Sequence, residues 1–308
     1  MVACSSRAKV MVDIVAELLC RTPPDTLYHY TTQAGLIGII RDMEIWATHT
    51  QYLNDRREYV HAIGLVRDAI DGRLKSVADA VAKEVLEEMF ARVSDNLASI
   101  NVCVCSFSED GDSLSQWRAY CEPMAGYAIG FDSAFLAARG AKQQFVLTPC
   151  LYRSNEQSQF VNDFLDRVVA ENLRHRDLPE GSDDYEFWHT GGNFVAFLHR
   201  IAPVLKDKSF ESEREWRLIS RPLMNTNPNF AYRPGRSMVV PFFKIQLGIE
   251  ADEVGSQRYH RVVVGPTPNA KQALGSVRNL LASMKLMNSF TPGGPVHVDE
   301  SAVPYRAW

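Results

Sequence analysis

The densest run of reactive side chains in the chain is Phe210-Glu211-Ser212-Glu213-Arg214-Glu215-Trp216-Arg217-Leu218-Ile219. Read as part of a strand over Glu213–Ser220, side chains alternate between two faces, so Glu213, Glu215 and Arg217 share one and Trp216 and Leu218 the other. Carboxylates two residues apart on a strand stand about 7 Å apart at the backbone, near enough to converge on one small ligand. They also repel, which raises the pKa of one of them. Such a pair suits acid–base work or the stabilisation of a developing positive charge. The bland counterpart is a solvated edge strand laced with ion pairs, and the local sequence alone favours it.

Three further constellations could join the acids. In Tyr28-His29-Tyr30-Thr31, a strand would put His29 and Thr31 on one face, offering ring nitrogens and a hydroxyl to ribose or phosphate. Ser106 and Phe107, followed by Trp117 and Tyr120, supply a hydroxyl and aromatic faces suited to a flat heteroaromatic ring. Asn54-Asp55-Arg56-Arg57-Glu58 could contact a substrate, or simply cap a helix. Each has a structural alternative: a core histidine with structural tyrosines, or Trp117 and Tyr120 packed on the core three residues apart.

Other chemistries find little support. There is no phosphate-cradling G-x-x-x-x-G-K-[ST], no G-x-G-x-x-G, no H-E-x-x-H and no G-x-S-x-G. The cysteines Cys4, Cys20, Cys103, Cys105, Cys121 and Cys150 match no zinc spacing and read as buried reduced thiols. His49 and His61 have no obvious ligand partners, so no metal is expected.

The elements that must position these groups alternate without strict order. A short helix over residues 10–20 stops before Pro23-Pro24, then Leu27–Thr31, helix Ala34–Arg41 and strand Glu44–Thr48 form a tight strand–helix–strand unit. Apolar residues from Leu74 to Leu97 recur every three or four positions, which predicts one amphipathic helix and reads as a packed insertion rather than a coiled coil. Strands follow at Asn101–Phe107, Gly126–Phe131 and Gln144–Tyr152, with a short helix at Ser113–Tyr120. Helices span 157–174 and 192–206, strands Met238–Leu247 and Arg261–Val264, and a last helix Thr267–Leu286. The tail from Thr291 reads as irregular. The class is α+β, in one domain over 1–308 with helical insertions at about 55–100 and 155–206.

Composition sets outer bounds. The chain has 308 residues, 46% hydrophobic and 23% charged, enough for a full core without staples. A net charge of −4 argues against adhesion to nucleic acid or anionic membrane by bulk charge alone. Asp13 and Glu17 interrupt the apolar N-terminal stretch, so it is not read as a signal peptide, and no run of about 20 apolar residues suggests a membrane span. A cytoplasmic protein is expected.

Taken together, the segments resemble a bacterial family known as domain of unknown function 2971, whose pattern runs Y-H-Y-T, N-D-x-x-E, S-F-S with W-x-x-Y, F-x-x-E-x-E-W-R and a late G-P. Here these are Tyr28-His29-Tyr30-Thr31; Asn54, Asp55 and Glu58; Ser106-Phe107-Ser108 with Trp117 and Tyr120; Phe210, Glu213 and Glu215-Trp216-Arg217; and Gly265-Pro266. Arg56 stands where the usual pattern has proline. That family in turn resembles the ADP-ribosyltransferases. The resemblance implies a split pair of β-sheets with NAD as co-substrate in the cleft, and no metal. It implies that Glu215 and Glu213 are catalytic, and that His29, Tyr30, Thr31, Ser106, Phe107, Trp117 and Tyr120 meet NAD. Asn54 would meet substrate; Arg217 could orient a glutamate or meet a substrate phosphate, against a structural ion pair, which is the favoured reading. The implied activity is transfer of ADP-ribose to a protein, RNA or DNA acceptor. Kinship extends to toxins and phage-defence effectors, which leaves an antitoxin partner open. NAD hydrolysis and a non-catalytic binding or immunity module of the same fold are the competing expectations.

Overall fold

The computed structural model describes residues 13–53, 56–92, 100–120, 126–175, 178–179, 192–235, 237–248, 257–287 and 294–304. Ten strands form one sheet: β1 Thr26–Thr32, β2 Glu44–His49, β3 Cys103–Ser108, β4 Gly126–Asp132, β5 Phe145–Pro149, β6 Glu215–Ser220, β7 Phe230–Pro234, β8 Val239–Gln246, β9 Tyr259–Val264 and β10 His297–Glu300. The order is β10-β9-β4-β1-β3-β2-β8-β7, with β6 on β3 and β5 on β6. Nine helices accompany them among the described residues: α1 Ile14–Leu19, α2 Gln33–Asp42, α3 Arg56–Leu74, α4 Ala80–Arg92, α5 Leu114–Tyr120, α6 Ser133–Lys142, α7 Ser154–Arg174, α8 Gly192–Ile201 and α9 Ala270–Ser283.

The sheet forks at β3. On one edge, β3 pairs with β6 from Val104 through Ser108. On the other it meets β2 at Cys103 and Val104 and β1 at Ser108. β1 and β2 thus take opposite ends of one short strand, and the middle of that edge, at Cys105–Phe107, faces the gap between them. The α+β class holds. The expected pair of separate sheets is corrected to one continuous sheet, because β3 keeps partners on both arms.

Two cores flank β3 and β6. α2, α6 and α9 close one face, where Cys103, Cys105, Phe107, Trp216 and Leu218 pack. The other face is covered by α1, α3, α4, α7 and α8, meeting Val104 and Ile219. A strand covered on both sides normally reads as a continuous apolar run. β6 does not: Glu215 and Arg217 alternate with Trp216 and Leu218, so two charges enter the covered layer and must be satisfied there.

Several boundaries differ from the sequence reading. The single helix expected from Leu74 is the end of α3, a break at residues 75–79, and α4. α6 and β7 are additional. α6 starts where Asp132 Oδ1 accepts from Phe135 N at 2.7 Å, an N-cap the apolar pattern does not reveal. The tail is not irregular throughout: β10 adds to β9 in parallel, His297 opposite Arg261. Gly265 of the G-P motif has a steric role, since a Cβ there would lie 2.9 Å from both Gly126 O and the Trp117 ring. Cys103, Cys105 and Cys150 are buried, whereas Cys20 is exposed; Cys4 and Cys121 lie outside the described residues. No helix among the described residues is long and apolar enough to cross a membrane.

His199 of α8 is 0% exposed; its Nδ1 has no hydrogen-bond partner among the described residues, and its Nε2 lies 3.4 Å from Tyr59 OH. Burial, helped by nearby His49, lowers its pKa from 6.5 to about 4. The folded state therefore resists its protonation, and stability intact above pH 6.5 is lost as pH falls toward 4, on the order of 3 kcal/mol in all. Urea unfolding at stepped pH should show this loss in the native chain and a clearly flatter profile in His199→Phe; parallel profiles would refute it.

Candidate functional site

The acid pair is built by a break in the chain, not by strand alternation. Residues Lys208–Glu213 form a 3₁₀ turn capped by Asp207, and Arg214 adopts the left-handed region at φ 42° before β6 begins at Glu215. Glu213 is therefore off the strand, which corrects the shared-face expectation. The two carboxylates nonetheless converge, because Lys206 Nζ lies 2.5 Å from Glu213 Oε2 and 2.6 Å from Glu215 Oε2. Backbone bonds hold the turn: Tyr152 OH accepts from Glu215 N at 2.9 Å, and Ser108 Oγ donates to Glu213 O at 2.8 Å.

Arg217 completes a four-charge cluster. Its Nε lies 2.7 Å from Glu215 Oε1, its Nη2 3.0 Å from Glu215 Oε2, and its Nη1 donates to Pro203 O at 2.6 Å. Arg217 forms the structural ion pair: its guanidinium bonds Glu215 and the Pro203 carbonyl at the end of the helical insertion. Glu215, Lys206 and Arg217 are only 4%, 3% and 4% exposed. Burial by itself would raise the Glu215 carboxyl, but Arg217 and Lys206 outweigh it and bring its pKa to about 2. Glu215 is thus an ionised carboxylate at neutral pH, with two oxygens that each retain further acceptor capacity.

His29 lies at the fork. Its Nδ1 is 2.9 Å from Ser106 O, the carbonyl in the gap between β1 and β2. A carbonyl only accepts, so Nδ1 carries the proton and Nε2 keeps its lone pair. Burial pushes the ring's pKa down despite that bond, which keeps it neutral. Two cavities meet at this side chain. The smaller, about 50 Å³, is lined by His29, Ser106, Gln116, Tyr120, Glu213 and Glu215, with Tyr28, Tyr30, Phe107 and Ser108. The larger, about 470 Å³, runs between β1, α2 and β2 and is lined by His29, Thr31, Arg41, Glu44 and Trp46 among others. The smaller holds one or two waters at roughly 30 Å³ each; the larger falls within the range of small-molecule sites, roughly 300–1,000 Å³.

Most of the residues expected at the site do gather there. Thr31 lines the larger cavity, and Tyr30, Ser106, Phe107 and Tyr120 the smaller. The Tyr30 hydroxyl is already engaged, donating to Asp110 O and accepting from Ser113 N. Trp117 does not belong: it is 3% exposed, packs edge-on against Tyr30 and donates from Nε1 to Asp112 Oδ1, so it is core and lines neither cavity. Asn54 lies outside the described residues. The sequence reading missed Lys206, Gln116 and Tyr152. Lys206 follows the apolar Val204-Leu205 with no motif around it, and its one signal is a lone charge at the end of a buried run. Among the described residues, no three His, Cys, Asp or Glu gather to hold a metal ion.

Fold and site define an α+β protein with a four-charge cluster, three of its members buried, at the fork of one sheet. Residues 116–218, about a third of the chain, match the model of a family described as a protein of unknown function (DUF2971). The matched stretch carries Lys206, Glu213, Glu215 and Arg217; it begins after β1, β2 and β3 and ends within β6. No curated protein and no solved structure matches the chain.

Removing one member of this cluster leaves a buried charge uncompensated. Arg217→Met should destabilise the fold by about 3–5 kcal/mol in urea unfolding, and Arg217→Met with Glu215→Gln should recover part of that loss. A single variant within about 0.5 kcal/mol of the native chain would mean that the cluster is hydrated and energetically slack.

Proposed function

We propose that this protein transfers ADP-ribose from NAD to a macromolecular acceptor, a protein or a nucleic acid. The observation that carries the reading is the ionised Glu215 in a cavity also lined by His29, which in turn lines a cleft of about 470 Å³. The residues suit a dinucleotide. The His29 Nε2 lone pair and the Thr31 hydroxyl can take ribose hydroxyls, and the larger cleft has the volume for a nucleotide half. The smaller cavity admits a planar ring once the partly exposed Tyr120 at the end of α5 swings aside.

Bound NAD would supply the ADP-ribosyl group and a neutral leaving group, nicotinamide. Cleavage of that bond builds positive charge on the anomeric carbon, as in glycoside hydrolysis. Glu215 would place fixed negative charge beside it in a site mostly closed to water, where such stabilisation is strongest. Glu213, on the same wall, would orient the acceptor and draw its proton. Lys206 and Arg217 keep both side chains from turning away. A second reading, NAD hydrolysis, is favoured by one observation: the cavity beside Glu213 and Glu215 is the size of a water or two.

Purified protein incubated with labelled NAD and a cell lysate should place label on a polymer, removed by protease or by nuclease according to the acceptor; free ADP-ribose alone would select hydrolysis. Glu215→Gln, verified as folded by circular dichroism, should lose on the order of 10²-fold in rate. Unchanged turnover in that variant would reject the assignment.

A further inference from the structure

Lys206 lies outside every motif that points to the site, yet its geometry is tightly constrained. It follows the 3₁₀ turn Ala202–Val204 that ends the second helical segment. Its backbone is fixed on both sides: Lys206 N donates to Leu151 O at 3.0 Å, and Lys206 O accepts from Gln157 Nε2 at 2.8 Å. Its ammonium lies 4.8 Å from the centre of the Phe210 ring while reaching both acids. No other described side chain bonds Glu213 and Glu215 at once.

We infer that Lys206 is a positioning residue, which holds Glu213 and Glu215 together as two charged carboxylates on one cavity wall. The part of this inference that concerns reaction rate rests on the function proposed above; the part that concerns charge does not. Two carboxylates on one wall repel, and without a shared cation one of them takes up a proton near neutral pH. Arg217 is committed differently: its guanidinium grips both oxygens of Glu215 and is anchored to Pro203 O. Burial by itself would push the Lys206 ammonium down, but the Glu215 charge and the two carboxylate bonds outweigh it and hold the pKa above the ordinary lysine range, with Arg217 opposing.

Among the described residues, the other titratable groups facing the pair offer no replacement charge. From α5, Tyr120 is pushed up to about 12 by burial and by both acids. Tyr152, beyond β5, and Cys105 of β3 are pushed up chiefly by burial, and His29 of β1 is pushed down by it. All four stay uncharged around neutrality.

The test compares the full-length chain with Lys206→Met and Lys206→Arg. In protein labelled with carbon-13 at glutamate carboxyls, Lys206→Met should gain one carboxyl that titrates between about pH 6 and 8, absent from the native spectrum and from Lys206→Arg. Its NAD turnover at pH 7 should fall about 10- to 100-fold and recover toward pH 8.5, an acid limb that Lys206→Arg removes. A folded Lys206→Met with the native carboxyl titration overturns the inference. Should Lys206→Met not fold, nitrogen-15 spectra of native lysine side chains decide: Lys206 must remain a protected ammonium through pH 10, and a neutral amine below that overturns it. A shifted carboxyl titration together with no NAD turnover by the native chain would sink the proposed function and leave the role of Lys206 standing.

Discussion

The structure depends on one electrostatic arrangement, two carboxylates and two cations, of which Glu215, Lys206 and Arg217 are buried and Glu213 is half-buried. An isolated carboxylate inside a protein abandons its charge, because desolvation costs more than the proton does. Glu215 keeps its charge since Arg217 grips it along the strand and Lys206 reaches it from the end of the helical insertion. The cluster is neutral in sum, which lets it be buried. Well-packed apolar residues of similar size often give equal or greater stability than such a cluster. A chain that places charge there gains a fixed negative site, and that asymmetry is the physical reason to look for function at this point rather than elsewhere.

The fork in the sheet gives the fixed charge something to act on. Because β1 and β2 diverge along β3, the backbone at Ser106 needs a partner, and the His29 ring supplies it. That single bond selects the tautomer, leaves Nε2 available and puts the same side chain on the walls of both cavities. The helical segments α3, α4, α7 and α8 also serve the site: they bury the β6 face that carries Glu215 and Arg217, and the last of them leads into Lys206.

Much of this is legible in the sequence, and the failures have identifiable causes. β1, α2 and β2 stand out because their aromatic, β-branched and apolar residues repeat with the right periods and tight turns separate them. The E-x-E pair stands out beside the apolar run Trp216-Leu218-Ile219, and His29 as an imidazole among aromatic and β-branched residues. Glu213 was misplaced because nothing in E-R-E announces that Arg214 turns left-handed. For Trp117, an aromatic at helical spacing fits core and ligand platform alike, and the structure shows the core alternative; its indole bond to Asp112 depends on a loop conformation that spacing does not encode. Lys206 was invisible because its partners come from a turn and a strand seven and nine residues on, met only once the 3₁₀ turn has folded. β10 escaped notice because four residues after a Pro/Gly-rich stretch carry little pattern of their own.

The claim that joins fold to function is that the fork at His29 receives one end of a dinucleotide while Glu215 awaits the other. Carbon-13 labelling of the histidine rings, with His29 assigned by His29→Gln, allows this to be read directly during titration with NAD. The account predicts that the His29 resonance shifts and saturates, and that Tyr120 ring signals move with it. A His29 resonance that stays fixed at millimolar NAD in the folded protein would contradict it.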